Sequence, residues 1–369
     1  MRVIKKILKA IGILFLVLLG LIAVCLICTT ILHNVKMKSN KAFLAEQGYY
    51  HPVSVGDHSL NLVRFGGNAE GRRIIAFSGS GPGFPIEIKP LVSELKEENQ
   101  VYYLARPGYD GSDDVKDDMT ISFVVEDCRK ALQNAGVEAP YVLMPHSAAG
   151  LLATYWAAKY PDEIEAVVNI EGVIPMAPDT ITEEQLAEFE SESSGMGIIR
   201  TLFNLGIADV AGDMFVQTDE SYSEDDQRAD RAMQLMTMSS RAFYSEASNA
   251  FVSMRETYEI LEPNDIPKLY INATNGYETL EEYKAADRLS EYRINELTPD
   301  FTGTEEARRA KAYELEWEEM QNHKKEVMEP YFEKIGNCKV ADLPGGHFIH
   351  WEKPHECAEI IKNFLKEVK

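Results

Sequence analysis

The sequence predicts an α/β protein whose mostly parallel, eight-stranded sheet carries helices on both faces. Eight apolar runs have the length and composition of strands, and helical patterns separate the later ones. Nearly continuous apolar strands that alternate with helices are typical of parallel sheets covered on both sides. The first two runs are predicted to pair as a hairpin. The eight runs are 50–56, 58–66, 72–79, 100–108, 141–144, 165–172, 268–276 and 337–345.

An apolar segment precedes the strands. Residues 10–32 form 23 uncharged positions rich in Leu and Ile, which at about 1.5 Å per residue can cross a hydrocarbon layer of roughly 30 Å. The alternative is a cleaved secretory signal, but no A-x-A site follows. We therefore predict one transmembrane helix. Four bases before it and three after it slightly favour a cytoplasmic N-terminus, with the remainder of the chain outside the cell membrane.

Composition excludes several classes of protein. The chain has 369 residues, 45% of them hydrophobic, and a net charge of −22. It is thus neither disordered nor a disulfide-built mini-domain, and an acidic balance argues against binding nucleic acid. Three cysteines follow the anchor, an odd number that does not form a disulfide framework. Of these, Cys128 and Cys357 lie on apolar helical stripes and are predicted to be core residues.

Two long stretches interrupt the alternation of strands and helices. The first is rich in Met and Phe and predicts a helical lid, in which Met233, Met236 and Met238 are better explained as lid core than as the lining of a substrate channel. The second, 277–336, contains a charged helix that a capping box from Thr302 to Glu305 would open. We divide the chain into 1–41 (cytoplasmic N-terminus and anchor), 42–172 (first part of the core), 173–265 (lid) and 266–369 (second part of the core).

A serine follows the strand at 141–144. The chain continues Pro145-His146-Ser147-Ala148-Ala149-Gly150 and then enters a helix. A sharp strand-to-helix turn lifts a serine hydroxyl above the sheet, and the helix N-terminus favours developing negative charge. Pro145 and Ala149 stand where the G-x-S-x-G pattern has glycines. The alternative is that Ser147 only caps the helix.

A histidine follows the last strand. His347 comes directly after Gly345-Gly346, so a flexible loop would carry its imidazole to the strand end, where it can act as a general base. His350 is the reserve candidate. His146 adjoins Ser147, and we expect its side chain to point elsewhere.

The third member of a catalytic triad is a carboxylate. The strand after the lid ends at Asn275-Gly276 without an acid, whereas the preceding strand presents Glu171 at its tip. The chain order would then be serine, acid, histidine. Glu278 is the alternative acid, and Glu171 could also be an ordinary loop residue.

A glycine-rich turn follows the strand at 72–79. Its glycines let backbone N–H groups approach a ligand, and we predict that the N–H groups of Ser80 and Ala148 form an oxyanion hole supported by Gly79. A dinucleotide-binding loop is the competing interpretation. The spacing is not G-x-G-x-x-G, however, and Pro82 lacks a donor.

Four motifs together carry a resemblance to a known family. They are FSGSGPG (77–83), RPGYDGSD (106–113), PHSAAGLLATYWAAKYPDEIEAVVNIEG (145–172) and GGHFIHWEKP (345–354). The chain resembles the α/β-hydrolase superfamily, and within it a membrane-anchored or secreted bacterial subgroup with a P-H-S elbow and its acid on the earlier strand. The resemblance implies the catalytic roles given above. The family usually has Asp where this chain has Glu171.

The sequence thus predicts a membrane-anchored serine hydrolase that cleaves a small-molecule ester or amide through an acyl-enzyme. No metal or organic cofactor is expected, because the corresponding motifs are lacking, and the acidic charge balance argues against nucleic acid as a partner. A serine nucleophile argues against dehalogenase or epoxide hydrolase chemistry. Two alternatives stay open: a catalytically inactive binding protein, and an aminopeptidase of the proline-iminopeptidase type, whose substrate amine Glu183, Glu184 and Glu188 could hold.

Overall fold

The computed structural model describes residues 2–177 and 195–369. It confirms the predicted architecture, an eight-stranded sheet with the order β1-β2-β4-β3-β5-β6-β7-β8. The first two strands pair antiparallel, as expected, β2 also runs antiparallel to β4, and the other neighbours are parallel. The strands are β1 (Pro52–Ser54), β2 (Ser59–Gly67), β3 (Arg73–Phe77), β4 (Gln100–Leu104), β5 (Tyr141–Pro145), β6 (Ile164–Ile170), β7 (Lys268–Asn272) and β8 (Cys338–Asp342).

Helices cover both faces of this sheet and fill the two long connections. The α-helices are α1 (Arg2–Glu46), α2 (Phe84–Glu87), α3 (Lys89–Leu95), α4 (Ile121–Asn134), α5 (Ala149–Lys159), α6 (195–204), α7 (Ile207–Ala211), α8 (Glu224–Ser239), α9 (Arg241–Ser248), α10 (Ala250–Glu259), α11 (Leu280–Ala286), α12 (Glu291–Leu297), α13 (Glu305–His323), α14 (Glu329–Ile335), α15 (Ile349–Glu352) and α16 (Pro354–Glu367). Shorter helical turns are the 3₁₀ turns Pro161–Glu163 and Gly212–Met214 and the π turn Lys324–Met328.

The core lies on both faces of the sheet because successive strand residues point to opposite sides. In β3, Ile74 and Ala76 pack in the cluster that includes α3 and α16, whereas Ile75 and Phe77 pack with α4 and α5. A strand covered on both faces is therefore apolar at nearly every position. Cys128 and Cys357 are fully buried in these clusters, as predicted.

The connection between β6 and β7 contains α6 to α10. Met233 of α8 is fully buried in the main core cluster, and Met236 packs against that cluster. Met238 packs against a separate, smaller cluster within this connection. Met233 is therefore a core residue, and Met236 and Met238 pack against buried clusters instead of standing free.

The connection between β7 and β8 is a second helical insertion, made of α11 to α14. Its helices enclose a small apolar cluster of their own, which includes Tyr283, Ile294 and Tyr313. The predicted capping box is wrong by two residues: Thr304, and not Thr302, caps α13, and its hydroxyl accepts a hydrogen bond from the N–H of Ala307. Within a run of Thr, Gly and Thr, the residue with an extended backbone next to the first helical turn makes the cap.

Helix α1 is continuous for 45 residues. In the described part of the chain it is the one helix that is long and apolar enough to cross a membrane, and its most apolar window is not buried by the rest of the protein. Its last turns are buried, since Phe43 and Leu44 enter the main core cluster. The apolar segment and the folded domain are therefore joined by one continuous helix.

Candidate active site

Ser147 lies on a strained turn between β5 and α5. Its φ angle is 52°, a left-handed conformation that a non-glycine residue adopts at an energetic cost. Two backbone hydrogen bonds hold the turn: the Ser147 N–H donates to Ile170 (3.3 Å), and its carbonyl accepts from Val173 (2.8 Å). The capping alternative is wrong, because the N-cap of α5 is Ala148 and no side chain caps this helix. The Ser147 hydroxyl is thus left at the surface of the site.

The turn tolerates Pro145 and Ala149 in place of glycines. The β5–β6 ladder breaks after Leu143 and resumes only as a bridge at His146, so the missing N–H of Pro145 falls in a gap of the ladder. The close approach occurs at Gly150 instead, where a Cβ atom would lie 2.7 Å from the carbonyl oxygen of Val173. The small residue that this turn needs is one position later than in the usual pattern.

The loop after β3 passes directly against Ser147. A Cβ atom on Gly79 would lie 2.6 Å from Cβ and 3.1 Å from Oγ of Ser147, so only glycine fits there. Among the described residues, the N–H groups of Ser80 and Ala148 have no protein acceptor. Both predicted oxyanion donors border the same turn as Ser147. The pocket beside them is lined by Gly79, Ser80, Gly81, Pro82, Phe84, Glu87, His146, Ser147, His347 and Phe348.

A buried arginine holds this loop in place. The guanidinium of Arg106 donates to the carbonyls of Ser78 (2.5 Å) and Gly79 (2.9 Å), and to Glu246 of helix α9 (3.0 Å). Burial alone would lower the pKa of Arg106, but the charge of Glu246 and two nearby phenols raise it. Arg106 had no assigned role at the level of sequence, although the RPGYDG turn after β4 was a signal.

Glu171 reaches across the end of β7. It also has a left-handed backbone (φ 50°) and is buried. Its Oε1 atom accepts from the N–H groups of Ala273 and Thr274, and its Oε2 atom accepts from the Thr274 hydroxyl (2.7 Å). Oε2 also lies 3.7 Å from Nδ1 of His347. This distance exceeds that of a hydrogen bond, and such contacts often tighten only when substrate binds.

His146 lies within the site, so the expectation that its side chain points elsewhere is wrong. It is buried, its Nε2–H donates to the carbonyl of His347 (2.9 Å), and the two ring centroids are 4.7 Å apart. Burial and the charge of His350 lower the pKa of His146 far below its ordinary range. A neutral His146 therefore fixes the loop that carries His347.

His350 is not positioned as a second base. Its ring is completely buried, and its Nε2 atom is bonded to Oε1 of Glu87 (2.5 Å). Glu87, His146 and His350 have ligand atoms within 4.8 Å of one another and could hold a metal ion. The Glu87–His350 and His146–His347 hydrogen bonds already engage all three side chains.

The other candidate acids do not lie beside His347 in the described part of the chain. Glu278 is exposed, and its N–H donates to Glu282, so it does not replace Glu171 beside His347. The three lid glutamates Glu183, Glu184 and Glu188 lie outside the described residues.

An open cleft extends from the other side of His347 under the second insertion. It is bordered by Thr274, Asn275, Tyr277, Tyr283, Arg288, Glu316, Glu319, Met320, His323, Gly345, Gly346, His347 and Glu352. The sequence placed this insertion within the core region and gave no sign of its position beside the site.

Comparison with known proteins identifies the fold family of this chain. A family profile described as "alpha/beta hydrolase fold" matches residues 72–276. The uncharacterized protein YbdG of Bacillus subtilis (strain 168) is 34% identical over 172 residues, which are 46% of this chain and 52% of YbdG. The uncharacterized protein C23C11.06c of Schizosaccharomyces pombe is 28% identical over 89 residues, 24% of this chain and 16% of that protein. The matched segments thus span about half of one curated relative and less of the other.

Solved structures with the same fold include haloalkane dehalogenases. The enzyme DatA from Agrobacterium tumefaciens C58 has a TM-score of 0.57 at 13% identity, covering 86% of this chain and 96% of DatA. The putative ancestral haloalkane dehalogenase AncHLD2 has a TM-score of 0.56 at 15% identity, covering 86% and 99%. Cfl2 from Burkholderia cenocepacia has a TM-score of 0.54 at 17% identity, covering 85% and 95%. At such identities the likeness concerns the fold alone.

Proposed function

This chain belongs to the α/β-hydrolase fold family, and we propose that it is a membrane-anchored serine hydrolase that cleaves a carboxylic ester or amide through an acyl-enzyme on Ser147. The observation that carries the proposal is the convergence of three strand ends. Ser147 follows β5, Glu171 follows β6 and His347 follows β8, with the Glu171 carboxylate facing the imidazole at 3.7 Å.

Each group has a defined step in the reaction. The Ser147 oxygen attacks the substrate carbonyl carbon while His347 removes the hydroxyl proton, and Glu171 stabilises the imidazolium that forms. The N–H groups of Ser80 and Ala148 bind the oxyanion. His347 then protonates the leaving alcohol or amine, and water activated by the same imidazole releases the acid from Ser147.

The Glu171 carboxylate is suited to stabilise the imidazolium because its position is fixed before the reaction begins. Two backbone N–H groups and the Thr274 hydroxyl hold Glu171, and this leaves Oε2 facing Nδ1 of His347. A pre-positioned charge needs little reorganisation during the reaction. The longer glutamate side chain is accommodated because it spans from β6 to the end of β7, where the acid is lacking.

Dehalogenation, the reaction named for several structures of the same fold, does not suit Ser147. Displacement of a halide by a serine oxygen would leave an alkyl ether on the enzyme. Water does not cleave an alkyl ether near neutral pH, so the enzyme would not be regenerated. A carbonyl substrate instead gives an acyl ester, which water hydrolyses. The chemistry of the elbow residue therefore favours acyl transfer.

The anchor completes the proposal. Residues 10–32 are apolar and lie in the exposed part of α1, which suits a hydrocarbon environment and not water. The arrangement of bases slightly favours an extracytoplasmic catalytic domain.

The test is hydrolysis of p-nitrophenyl acetate, butyrate and octanoate by the full-length protein in detergent, together with labelling by a fluorophosphonate. The parent should label and should turn over at least one ester. Ser147→Ala should abolish labelling and lower kcat/KM by at least about 10³-fold. The matched control is Ser93→Ala on α3, an exposed serine whose hydroxyl bonds only to the carbonyl of Lys89, and it should retain kcat/KM within about twofold.

A folded parent that neither labels nor hydrolyses any of the esters would overturn the proposal and favour the inactive binding protein. Turnover that survives in Ser147→Ala would equally reject the assigned nucleophile.

A further inference from the structure

We propose that an exposed apolar surface of the lid inserts into the membrane leaflet in which α1 is anchored. This surface, called here the lid apolar surface, consists of Ile198, Ile199, Val210, Met214 and Phe215. The inference rests on the anchor included in the proposed function, and it adds that the lid itself contacts lipid.

The lid apolar surface is unusually exposed for its composition. Val210 and Met214 expose 71% and 78% of their area, and Ile198 exposes 68%. The five residues come from α6, α7 and the turn that follows them, so they belong to one short part of the lid. Soluble proteins rarely leave a group of large apolar side chains in water, and such groups commonly mark membrane or protein contacts.

The same part of the lid contacts α1 at the end of its apolar segment. The backbone at Gly206, between α6 and α7, packs on the carbonyl of Thr29, and a Cβ atom there would lie 3.1 Å from Cβ of His33. Thr29 precedes Leu32, the last residue of the apolar segment, by three positions, or about 4.5 Å along the helix axis. The lid thus reaches the level at which α1 leaves the hydrocarbon layer.

This contact is a fixed joint. His33 and Lys36 of α1 both bind Asp209 of α7, with distances of 2.6 Å (Nδ1–Oδ2) and 2.8 Å (Nζ–Oδ1). His33 and Asp209 are largely buried. A carboxylate that is shielded from water is destabilised when it loses its hydrogen-bond and ion-pair partners. Helix α7 therefore keeps its orientation relative to α1.

Apolar packing strengthens the joint. Beneath the lid apolar surface, Phe203, Ala208, Val216 and Leu235 form a buried cluster against which Met37 of α1 packs. Side chains on α6 to α8 are thus divided into an inner set that holds α1 and an outer set that is exposed. The outer set is the lid apolar surface.

The bilayer is the occupant that this geometry favours. Leu32 and Val35 of α1, which lie beside the joint in the sequence, are themselves 62% and 61% exposed, so α1 also exposes apolar side chains at the level of the lid contact. Contact of apolar side chains with the acyl boundary releases water from both surfaces. A substrate dissolved in the leaflet would then meet the lid without crossing bulk water.

The test places tryptophan at defined points of the full-length protein in nanodiscs made with or without brominated phosphatidylcholine, which quenches nearby indoles. Val210→Trp and Met214→Trp should each add emission that brominated lipid lowers by about twofold or more. Tyr292→Trp is the matched control, because Tyr292 is 78% exposed but lies on α12 of the second insertion; its added emission should not change. Leu14→Trp reports on the anchor and should be quenched.

The outcomes separate the two proposals. If Leu14→Trp is quenched and Val210→Trp and Met214→Trp are not, the lid contact is overturned, and ester hydrolysis in the same samples still supports the proposed function. If all three are quenched but the parent lacks hydrolysis, the lid contact stands and the proposed function fails. An unquenched Leu14→Trp overturns the anchor and the lid contact together. The Val210→Trp protein is also treated with a lysine-reactive cross-linker. A dimer captured in this way, without quenching of the added indole, overturns the lid contact as well.

Discussion

The carboxylate of Glu171 faces the imidazole of His347 across the end of a strand that contributes neither side chain. The two residues follow β6 and β8, and the Oε2–Nδ1 distance is 3.7 Å. Between them, the end of β7 supplies the backbone donors of Ala273 and Thr274. The end of β7, which has no acidic residue of its own, thereby fixes Glu171 from the neighbouring strand β6.

Removing the charge of Glu171 should impair catalysis without disturbing the fold. We expect Glu171→Gln to lower kcat by about 10²- to 10⁴-fold, because a neutral amide stabilises the imidazolium poorly. Steady-state hydrolysis of p-nitrophenyl esters measures this effect. The control is Glu278→Gln, which changes an exposed residue and should leave kcat within about twofold. A larger loss in Glu278→Gln than in Glu171→Gln would show that the acid is misassigned.

Substitution by alanine should lower activity at one glycine of the loop after β3 and leave it nearly unchanged at another. Gly79→Ala would place a methyl group 2.6 Å from Cβ of Ser147, whereas Gly81→Ala meets nothing within 4 Å. We expect Gly79→Ala to lower kcat/KM by about 10²-fold or more, since the loop must move away from the oxyanion. Gly81→Ala should retain activity within about threefold. Equal activity of the two variants would contradict the close approach of this loop to Ser147.

The two histidines after β8 should be separable by mutation. His347→Gln removes the proposed general base and should lower kcat by about 10³-fold or more. His350→Gln keeps a donor for Glu87, with which His350 is paired at 2.5 Å, and should retain kcat within about tenfold while lowering the melting temperature. Kinetics and thermal melts of both variants check this. Loss of activity in His350→Gln alone would reassign the base.

Asp230 gives the stability of the protein a pH dependence. This carboxylate of α8 is buried, and burial, assisted by the charges of Asp110 and Glu87, raises its pKa to about 7; Gln234 and Arg231 oppose the shift. The folded protein then binds a proton more tightly than the unfolded chain, whose Asp pKa is about 3.9. The resulting stabilisation is fully present below about pH 4 and is lost as the pH rises to about 7.

We therefore expect Asp230→Asn to stabilise the full-length protein relative to the parent at pH 8, by an amount on the order of 2 kcal/mol more than at pH 5. Melting temperatures in detergent at both pH values measure the difference. Asp225→Asn, an exposed change on the same helix, should shift the melting temperature equally at both. A parallel shift for Asp230→Asn would refute the raised pKa.

Much of the fold could be predicted from the sequence because its signals are local. The strands at 72–79, 141–144 and 165–172 were recognisable because each is a continuous apolar run. The turn at Ser147 was recognisable because a predicted strand precedes it and a helical pattern follows it. Glu171 became a candidate because parallel strands end at one edge of a sheet, so an acid at the tip of one strand can serve the next.

Other features depend on residues that meet only after folding. Three contacts each join segments that are far apart in the chain. They are the hydrogen bonds from His146 to His347, from Arg106 to Gly79 and from Thr274 to Glu171. The contact of Gly206 with Thr29 belongs to the same class. The order of amino acids specifies which groups of atoms are available and where each strand ends, whereas packing in three dimensions selects the groups that come into contact. Packing forces are short-ranged and act between neighbours in space, so they leave no periodic signal along the chain.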